Sequence, residues 1–363
     1  MTAQVQAQWQ TRGWFARMLY PLSCLTEWAV RFKQRTAARQ KAWRAPVPVL
    51  VIGNIYVGGT GKTPIVIACA KALSDLGWRP GIISRGYGVN IGPAPRLSSV
   101  NSDPTQIGDE PALIALESGC PVAVHPQRRL AIEKLLSIHP NVNLIISDDG
   151  LQHVKMARDL EIVVQDNRGC GNGWLLPAGP LREPPSRLKH VDAIITRLES
   201  QTVQESEQSM IALDKMGHDM RGDSRPLKLD MTLVPMSFRH LETGRHISLE
   251  EMRSRSSGSR VGAAAGIGVP ERFFNTIRDT GVSVLWTLAL PDHHHFDSHT
   301  FGSVVADMIL ITAKDAIKCD KLRDDRLWVL EVTPRFSDDH VFQWLHHHLN
   351  LAVIKIDARS NDL

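Results

Sequence analysis

A glycine-rich segment near residue 60 carries the strongest chemical signal in the sequence. Residues 51 to 64 read VIGNIYVGGTGKTP, so an apolar run leads into a turn that ends in a basic and a hydroxyl residue. Between a strand and a helix such a turn binds phosphate, because its N–H groups and the positive end of the helix dipole converge there. We predict that a nucleotide is held by Gly58, Gly59, Thr60, Gly61, Lys62, Thr63 and Pro64. The alternative is a turn that binds no ligand.

Two residues of this turn have more definite expected roles. Lys62 is expected to reach the β and γ phosphates, and the Thr63 hydroxyl is expected to bind Mg²⁺. The strict Walker A pattern needs a glycine where the chain has Tyr56. Dimeric switch ATPases of one P-loop class have a lysine just before the two glycines, and this chain has Val57 there. The sequence therefore points away from that class without excluding it.

Two adjacent carboxylates follow another apolar run. The stretch LIISDDGLQH ends a predicted strand in Asp148 and Asp149, where a P-loop enzyme keeps the acid that holds or orients Mg²⁺. We predict Thr63, Asp148 and Asp149 as Mg²⁺ ligands, against the alternative of two solvated turn aspartates. Asp109 and Glu110, in IGDEP, admit two interpretations at this point, as acids of a helix N-terminus or as groups that act on a ligand.

A run of histidines lies in the C-terminal part of the chain. The stretch LALPDHHHFD places His293, His294 and His295 after an apolar run. Three consecutive histidines cannot all face one metal on a regular element, which disfavours a zinc site. A histidine that acts as a general base or contacts phosphate is favoured if this loop faces the nucleotide.

Apolar runs and helical patterns alternate from residue 46 onward. This alternation is typical of βαβ units. We predict an α/β fold with a P-loop NTPase-type, mostly parallel sheet core, a second, smaller α/β lobe and an N-terminal amphipathic helix. The expected divisions are an N-terminal helix in residues 1–45, a P-loop core in 46–200, a polar connection with a β-hairpin in 201–258, and the second lobe in 259–363.

The first 45 residues are basic and amphipathic. They contain eight Arg or Lys residues and one Glu, so with a net charge of +4 for the whole chain the remaining residues carry −3. Large apolar residues recur at steps of three and four from Trp14 to Phe32, and Arg17 and Glu27 make the stretch too polar to span a bilayer. We predict a helix that lies in the membrane interface. The alternative is that Trp14, Leu22 and Trp28 pack on the body of the protein.

Charge and cysteine usage exclude several other classes. The basic residues are concentrated at the N-terminus, which argues against a nucleic-acid groove spread over the fold. The five cysteines are scattered without a Cys-x-x-Cys pair, which indicates a reducing compartment rather than a disulfide framework or a zinc ribbon. Nothing in the sequence implies a protein partner.

Seven motifs in this order resemble one enzyme family. They are GNIYVGGTGKTP, ISRGYG, IGDEP, SDDGLQH, GNGWLLPAGPLREP, PDHHHF and TAKDAIKC. The sequence resembles the tetraacyldisaccharide 4'-kinases of the lipid A pathway of Gram-negative bacteria. The resemblance implies transfer of the ATP γ-phosphoryl group, with Mg²⁺, to the 4'-hydroxyl of a tetraacylated disaccharide 1-phosphate. It also implies a peripheral or monotopic protein on the cytoplasmic face of the inner membrane.

The resemblance assigns roles to individual residues. Asp109 and His293 would together take the proton of the attacking hydroxyl, with Lys62 and Asp149 also catalytic. The predicted substrate-binding residues are Arg85, Asn172, Arg182 and His294. The third histidine makes the choice of His293 over His294 a matter of motif alignment. The form TAKDAIK departs from the commoner Thr-Glu-Lys-Asp, and its Lys314 and Asp315 are candidate contacts of the nucleobase or ribose.

Two rival classes share part of this pattern. A membrane-associated switch ATPase would have the P-loop, the acids and the basic helix, but it gives no reason for GNGWLLPAGPLREP or for the histidine loop. A membrane-binding scaffold without enzymatic activity accounts for the N-terminus alone. Hydrolysis of ATP without a lipid acceptor would favour the first, and tight binding of Mg²⁺-ATP would count against the second.

Overall fold

A computed structural model describes residues 8–39, 42–98, 103–199, 226–319 and 321–361. In the first half of the chain the helices are Trp14–Arg39 (α1), Lys62–Asp75 (α2), Pro104–Ile107 (α3), Asp109–Ser118 (α4) and Arg128–Ile138 (α5). The strands there are Val49–Gly53 (β1), Pro80–Ser84 (β2), Arg96–Ser98 (β3), Val122–Val124 (β4), Leu144–Asp148 (β5), Leu160–Asp166 (β6) and Ala193–Arg197 (β7), and Pro185–His190 is a 3₁₀ helix.

The second half continues the alternation. Its strands are Leu227–His240 (β8), His246–Ser248 (β9), Val261–Ala265 (β10), Trp286–Ala289 (β11), Met308–Thr312 (β12) and Leu327–Phe336 (β13). Its helices are Leu249–Ser256 (α6), Pro270–Asp279 (α7), Ala313–Cys319 (α8) and Val341–Asn361 (α9). Residues 201–225 of the expected polar connection lie outside the described residues, and from Leu227 onward the chain enters the sheet.

The strands form one 13-stranded sheet in the order β11-β10-β12-β13-β8-β7-β6-β1-β5-β2-β4-β3, with β9 on β8. Neighbouring strands are parallel except β13 with β8, β4 with β3 and β9 with β8. Strands β1, β5, β10 and β12 are buried along their whole length, as expected of parallel strands with helices on both faces. The predicted α/β fold with a mostly parallel sheet is confirmed.

A long antiparallel ribbon joins the two parts of the sheet. The first residues of β8, Leu227–Met231, pair with β7, and from Met231 onward β8 pairs with β13. Strand β12 pairs with the first residues of β13, Leu327–Leu330, which lie opposite the far end of β8. The strands of the second lobe therefore point back toward those of the first. Since ligands bind at the carboxyl ends of parallel strands, both lobes direct their binding edges at one cleft.

Helix α1 leaves a broad apolar surface exposed. Trp14, Leu22 and Trp28 are 76%, 51% and 66% exposed, and Met18, Leu25 and Phe32 are exposed beside them. The interpretation that Trp14, Leu22 and Trp28 pack on the protein body is therefore wrong. Within the described ranges, no helix combines the length and the apolar character that crossing a membrane requires.

Candidate active site

The glycine-rich turn connects β1 to α2 in an open, uncapped conformation. Gly58 and Gly61 have φ values of 101° and 84°, which side chains rarely allow. No side chain caps the first N–H groups of α2. The amide of the buried Asn54 donates to Gly58 O and Thr60 Oγ1 at 3.2 and 3.1 Å. These hydrogen bonds fix the turn on its protein side, while its N–H groups remain available to an anion.

Asp149 lies beside this turn and is neutralised by two basic residues. Arg182 donates to both of its carboxylate oxygens, at 3.0 and 2.9 Å, and Lys62 Nζ is 3.6 Å from Oδ1. Burial raises the pKa of Asp149, but the charge of Lys62 and the Arg182 hydrogen bonds outweigh burial and hold the pKa below its usual range. Asp149 is therefore ionised, and it links Lys62 to Arg182, which also donates to Asn54 O at 2.9 Å.

Asp148 is the opposite case, a buried carboxyl with few partners. Ser84 Oγ donates to its Oδ2 at 3.2 Å, whereas its buried Oδ1 has no hydrogen-bond partner among the described residues. Burial, with the nearby Glu110 carboxylate, raises the pKa of Asp148 to about 7. The guanidinium of Arg128, itself buried, donates to Asp148 O at 3.0 Å and not to the carboxylate. One carboxylate oxygen is thus free to meet a cation.

The residues predicted to hold Mg²⁺ lie at one place and fit a hard cation. Thr63 follows Lys62 in α2, Asp148 ends β5, and Asp149, the next residue, lies 3.6 Å from Lys62 Nζ. Their donors are oxygens, which Mg²⁺ prefers, and Mg²⁺ keeps waters and phosphate oxygens among its ligands instead of a full protein cage. The described chain has no group of three or more His, Cys, Asp and Glu residues arranged to hold a metal ion.

Replacement of Asp148 by Asn is expected to stabilise the ligand-free protein at alkaline pH. Because its folded-state pKa is raised from 3.8 to about 7, the folded state keeps a proton that the unfolded state loses between these values. The stability of the wild type therefore falls as pH rises through this window, and Asn removes the loss. We expect a gain of about 1–3 kcal/mol at pH 8 and a smaller change at pH 4. Urea unfolding without nucleotide or metal measures it; an equal effect at both pH values would contradict the explanation.

A carboxylate and a histidine from the two lobes meet above this site. Asp109 Oδ2, at the start of α4, is 3.0 Å from His293 Nδ1, in the loop after β11. This contact selects the tautomer with the proton on Nδ1, so Nε2 has a free lone pair. Nε2 is 3.9 Å from Asp292 Oδ2, outside hydrogen-bond range. His293 can thus accept a proton from a hydroxyl group while Asp109 stabilises the imidazolium that forms.

Backbone strain coincides with this chemistry. Asp149 and His293 have φ values of 51° and 61°, and the described residues contain one further non-glycine residue of positive φ, Arg323. Such conformations cost on the order of 1–3 kcal/mol and persist where the surroundings fix them. Two of the three are predicted catalytic residues, so the fold places their side chains at a cost to the backbone.

His294 and Arg85, which were predicted to bind substrate, do not take part in the Asp109–His293 contact. The ring of His294 packs edge-on against Phe296 at 5.1 Å between centroids, so His293 is the histidine that faces Asp109. Arg85 follows β2 with an exposed side chain. Their contacts with substrate stay predictions.

The motif GNGWLLPAGPLREP forms a loop between α1 and the glycine-rich turn. Ser23 of α1 donates to Leu175 O at 2.6 Å, and the Asn172 amide holds the loop through Ala178 O at 2.9 Å. Pro180 O accepts from Val57 N at 2.9 Å. Asn172 is buried with its amide bonded inside the protein, so its predicted contact with substrate would need a rearrangement. The loop connects the exposed helix to the site.

Sequence reasoning missed an arginine cluster on the other side of the turn. Arg197 ends β7, and a Cβ added to Gly61 would lie 2.9 Å from its side chain. Asp166, which ends β6, accepts from Arg168 at 2.6 Å and from Arg272 of the second lobe at 3.0 Å. Burial, with the charge of Arg272, lowers the pKa of Arg197 to about 10. The sequence did contain a signal for this cluster. IVVQD and AIITR are apolar runs that each end in a charged residue, Asp166 and Arg197, as expected of strands that end at a binding edge.

Comparisons with known proteins identify the family. The model of the LpxK family, described as tetraacyldisaccharide-1-P 4'-kinase, matches residues 15–350. A tetraacyldisaccharide 4'-kinase of Bordetella petrii is 51% identical over 97% of this chain and 96% of that protein, and one of Chromobacterium violaceum is 42% identical over 94% and 96%. A crystal structure described as "apo" form LpxK from Aquifex aeolicus in complex with ATP matches with a TM-score of 0.73 and 25% identity, over 92% of this chain and 99% of that one. The chain therefore belongs to the tetraacyldisaccharide-1-P 4'-kinase family.

Proposed function

We propose that this protein is a kinase that transfers the γ-phosphoryl group of ATP to the 4'-hydroxyl of tetraacyldisaccharide 1-phosphate, forming lipid IVA in lipid A biosynthesis. The observation that carries the proposal is the contact of Asp109 with His293 at 3.0 Å, which joins the lobe that contains the glycine-rich turn and Lys62 to the second lobe. Membership of the family supports the lipid disaccharide as substrate. The similarity to an ATP-bound relative supports ATP as the donor.

The proposed reaction is a direct transfer between two oxygens. The 4'-oxygen of the sugar forms a bond to the γ-phosphorus as the bond to the β–γ bridging oxygen breaks, and ADP leaves with the electron pair. His293 Nε2 takes the hydroxyl proton, and Asp109 holds Nδ1–H and stabilises the imidazolium. Because the base comes from the second lobe and the phosphate turn from the first, the contact between the lobes aligns the reactants.

Most of the remaining predicted residues bind or neutralise the negative charge of the phosphates. Lys62 and the N–H groups of Gly58 to Thr63 would hold the β and γ phosphates, where charge develops on the leaving group. Mg²⁺, when bound, would neutralise phosphate oxygens, and Thr63, Asp148 and Asp149 would hold it. Arg182 keeps Asp149 ionised and in place. Arg85 and His294 are proposed to meet the disaccharide, and Asn172 to shape the loop that borders it.

The rate of ADP release with and without the lipid tests this proposal against a switch ATPase. A kinase with a positioned base needs the sugar hydroxyl, so ADP release by the folded protein should be slow alone and rise at least about 100-fold with detergent-solubilised disaccharide 1-phosphate. ADP release that is fast and independent of the lipid would instead indicate the switch ATPase.

We also propose a domain organisation in which each part of the chain has its own role. Residues 1–45 would associate with the membrane, 46–200 form the kinase core, 201–258 connect the lobes, and 259–363 form the second lobe. In support, β10, β11 and β12 with α7 enclose apolar clusters separate from those around β1, whereas Val341, Leu345 and Leu349 of α9 belong to the β1 cluster, so this last helix packs on the kinase core. The long strand β8 enters both lobes, so the connection includes part of the sheet.

The exposed face of α1 is proposed to lie on the cytoplasmic face of the inner membrane, peripherally or monotopically. Trp14, Trp28 and Phe32 expose large rings that would enter the headgroup region, and basic residues of the same segment would meet anionic lipid. Trp174, in the loop beneath α1, contacts the ring of Tyr20 at 4.5 Å between centroids. A lipid that entered along α1 would thus reach the loop that borders the phosphate turn.

Replacing Leu25 and Trp28 together by Ser is expected to weaken binding to vesicles of anionic lipid. Burial of each side chain contributes about 1.5–3 kcal/mol, so the partition coefficient should fall about 100-fold or more. Co-sedimentation with vesicles measures it. The matched control replaces Leu351 and Ile354 by Ser, which are exposed on α9. Equal losses in both variants, or none in the first, would contradict the assignment of α1.

A further inference from the structure

The TAKDAIK motif places a buried lysine between the two lobes. Lys318 Nζ, at the end of α8, is 3.9 Å from Asp109 Oδ2, the same oxygen that contacts His293 Nδ1. Its side chain is only 10% exposed, and its ammonium group lies 5.0 Å from the centre of the Phe296 ring. The motif residues considered from sequence, Lys314 and Asp315, form no ion pair with Asp109 within 4 Å, so Lys318 is the member of the motif that approaches the carboxylate paired with the base His293.

A second buried carboxylate fixes Lys318. Asp315 Oδ1 is 2.9 Å from Lys318 Nζ, and its other oxygen accepts from Gly266 N and Thr312 Oγ1 at 2.9 and 2.7 Å. Asp315 is fully buried, and its two fixed donors come from the ends of β10 and β12. The ammonium group thus forms an ion pair within the second lobe and lies 3.9 Å from a carboxylate of the first, and among the described residues it has no hydrogen-bond partner of good geometry.

We propose that Lys318 is a positioning residue that sets the charge balance of the Asp109–His293 pair. The inference rests on the proposed function, since it takes His293 as the base. A positive charge 3.9 Å from Asp109 Oδ2 offsets the negative charge that this carboxylate presents to His293 Nδ1. The same charge opposes positive charge on the imidazole and so favours the form of His293 that can accept the hydroxyl proton.

Other charges face the pair, and none of them replaces Lys318. Asp292 Oδ2 is 3.9 Å from His293 Nε2, and Lys314 is engaged by Asp292 at 3.1 Å and by Glu110 at 3.7 Å. The ring of Tyr87 lies 5.9 Å from that of His293. Asp292 and Glu110 favour the imidazolium, and Lys314 opposes them. Among the Lys and Arg residues of the described chain, Lys318 is the one with a nitrogen within 4 Å of the Asp109 carboxylate.

Replacement of Lys318 by Met tests the proposal through the pH dependence of kcat/KM. Without the ammonium group the imidazolium becomes more stable, so the acid limb of the profile should move up by about one pH unit. Below the wild-type limb the rate should fall up to about tenfold, and it should return toward the wild-type rate at higher pH. Lys318→Arg, which keeps the charge, should leave the limb within about 0.3 pH unit of the wild type.

The matched control is Lys321→Met. Lys321 also comes from the second lobe and contacts an aspartate of the first, Asp103, at 2.9 Å, but it lies outside the site and is 82% exposed. Its replacement should leave the acid limb in place. Thermal unfolding of each variant separates loss of folding from loss of rate. In the pH profile, a merely structural role of Lys318 would lower kcat/KM by the same factor at every pH.

The outcomes separate this inference from the function on which it rests. If His293→Ala abolishes transfer and Lys318→Met does not move the acid limb, the role of Lys318 is wrong and the base assignment stands. If His293→Ala retains wild-type turnover, the base assignment fails and the role of Lys318 fails with it. The expected result is that the acid limb of the kcat/KM profile lies at higher pH in Lys318→Met and at the wild-type position in Lys318→Arg.

Discussion

Lys62→Ala is expected to lower kcat/KM for phosphoryl transfer by about 1,000-fold or more. Lys62 is the first residue of α2, and its ammonium group is 3.6 Å from Asp149 Oδ1 with a side chain only 14% exposed. In this position it neutralises charge that develops on the transferring phosphates, and removal of such a group from a water-poor site costs several kcal/mol. Initial rates at saturating and limiting ATP measure the effect.

The control for Lys62→Ala is Lys71→Ala on the same helix. Lys71 is 53% exposed and its ion pair with Glu117, at 3.8 Å, lies away from the turn. Its replacement should change turnover less than about twofold and the free energy of unfolding by less than 1 kcal/mol. Retention of more than a tenth of wild-type kcat/KM by Lys62→Ala would contradict the assignment of the turn as the phosphate site.

His293→Ala and Asp109→Asn form the second prediction. Each should lower kcat by about 100- to 10,000-fold, because the first removes the base and the second removes the charge that orients and stabilises it. Since the two side chains act as one unit, the double variant should be little worse than His293→Ala alone. KM for ATP should change little, because neither residue belongs to the phosphate turn.

Neighbouring histidines provide the controls for this pair. His295→Ala changes an exposed side chain of the same loop and should leave kcat within about threefold of the wild type. His294→Ala removes a ring packed on Phe296, so its effect should appear in thermal stability as well as in rate. Independent, multiplying losses in Asp109→Asn and His293→Ala would show that they do not act as a pair.

The helices and strands could be predicted because the burial of each segment determines its local pattern of apolar and polar residues. Apolar runs such as VPVLVIG and NLIIS correspond to β1 and β5, and the helix expected from Pro64 to about Leu76 is Lys62–Asp75. The meeting of Asp148 and Asp149 with the glycine-rich turn also followed from sequence, because carboxyl ends of parallel strands share one edge. Periodicity reports how each segment is buried, and this was enough for the class of fold.

The contacts between lobes could not be predicted in this way. The periodicity of β8 does not reveal that it pairs with β7 at one end and with β13 along the rest, so the direction of the second lobe was unknown. The contact of Asp109 with His293 spans 184 residues and entered only through resemblance to a family. Arg197 beside Gly61 and Lys318 beside Asp109 are long-range contacts of the same kind. Such pairings depend on strand order, which local patterns do not encode.

The most direct test of the proposed function is transfer of label from γ-labelled ATP to the lipid. Purified protein is incubated with Mg²⁺, labelled ATP and detergent-solubilised tetraacyldisaccharide 1-phosphate, and the lipid fraction is separated and counted. The proposed function predicts one labelled phosphate per disaccharide at the 4'-position, lost in Lys62→Ala and in His293→Ala. Label that appears only as free phosphate, from wild-type protein shown to be folded and to bind ATP, would contradict it.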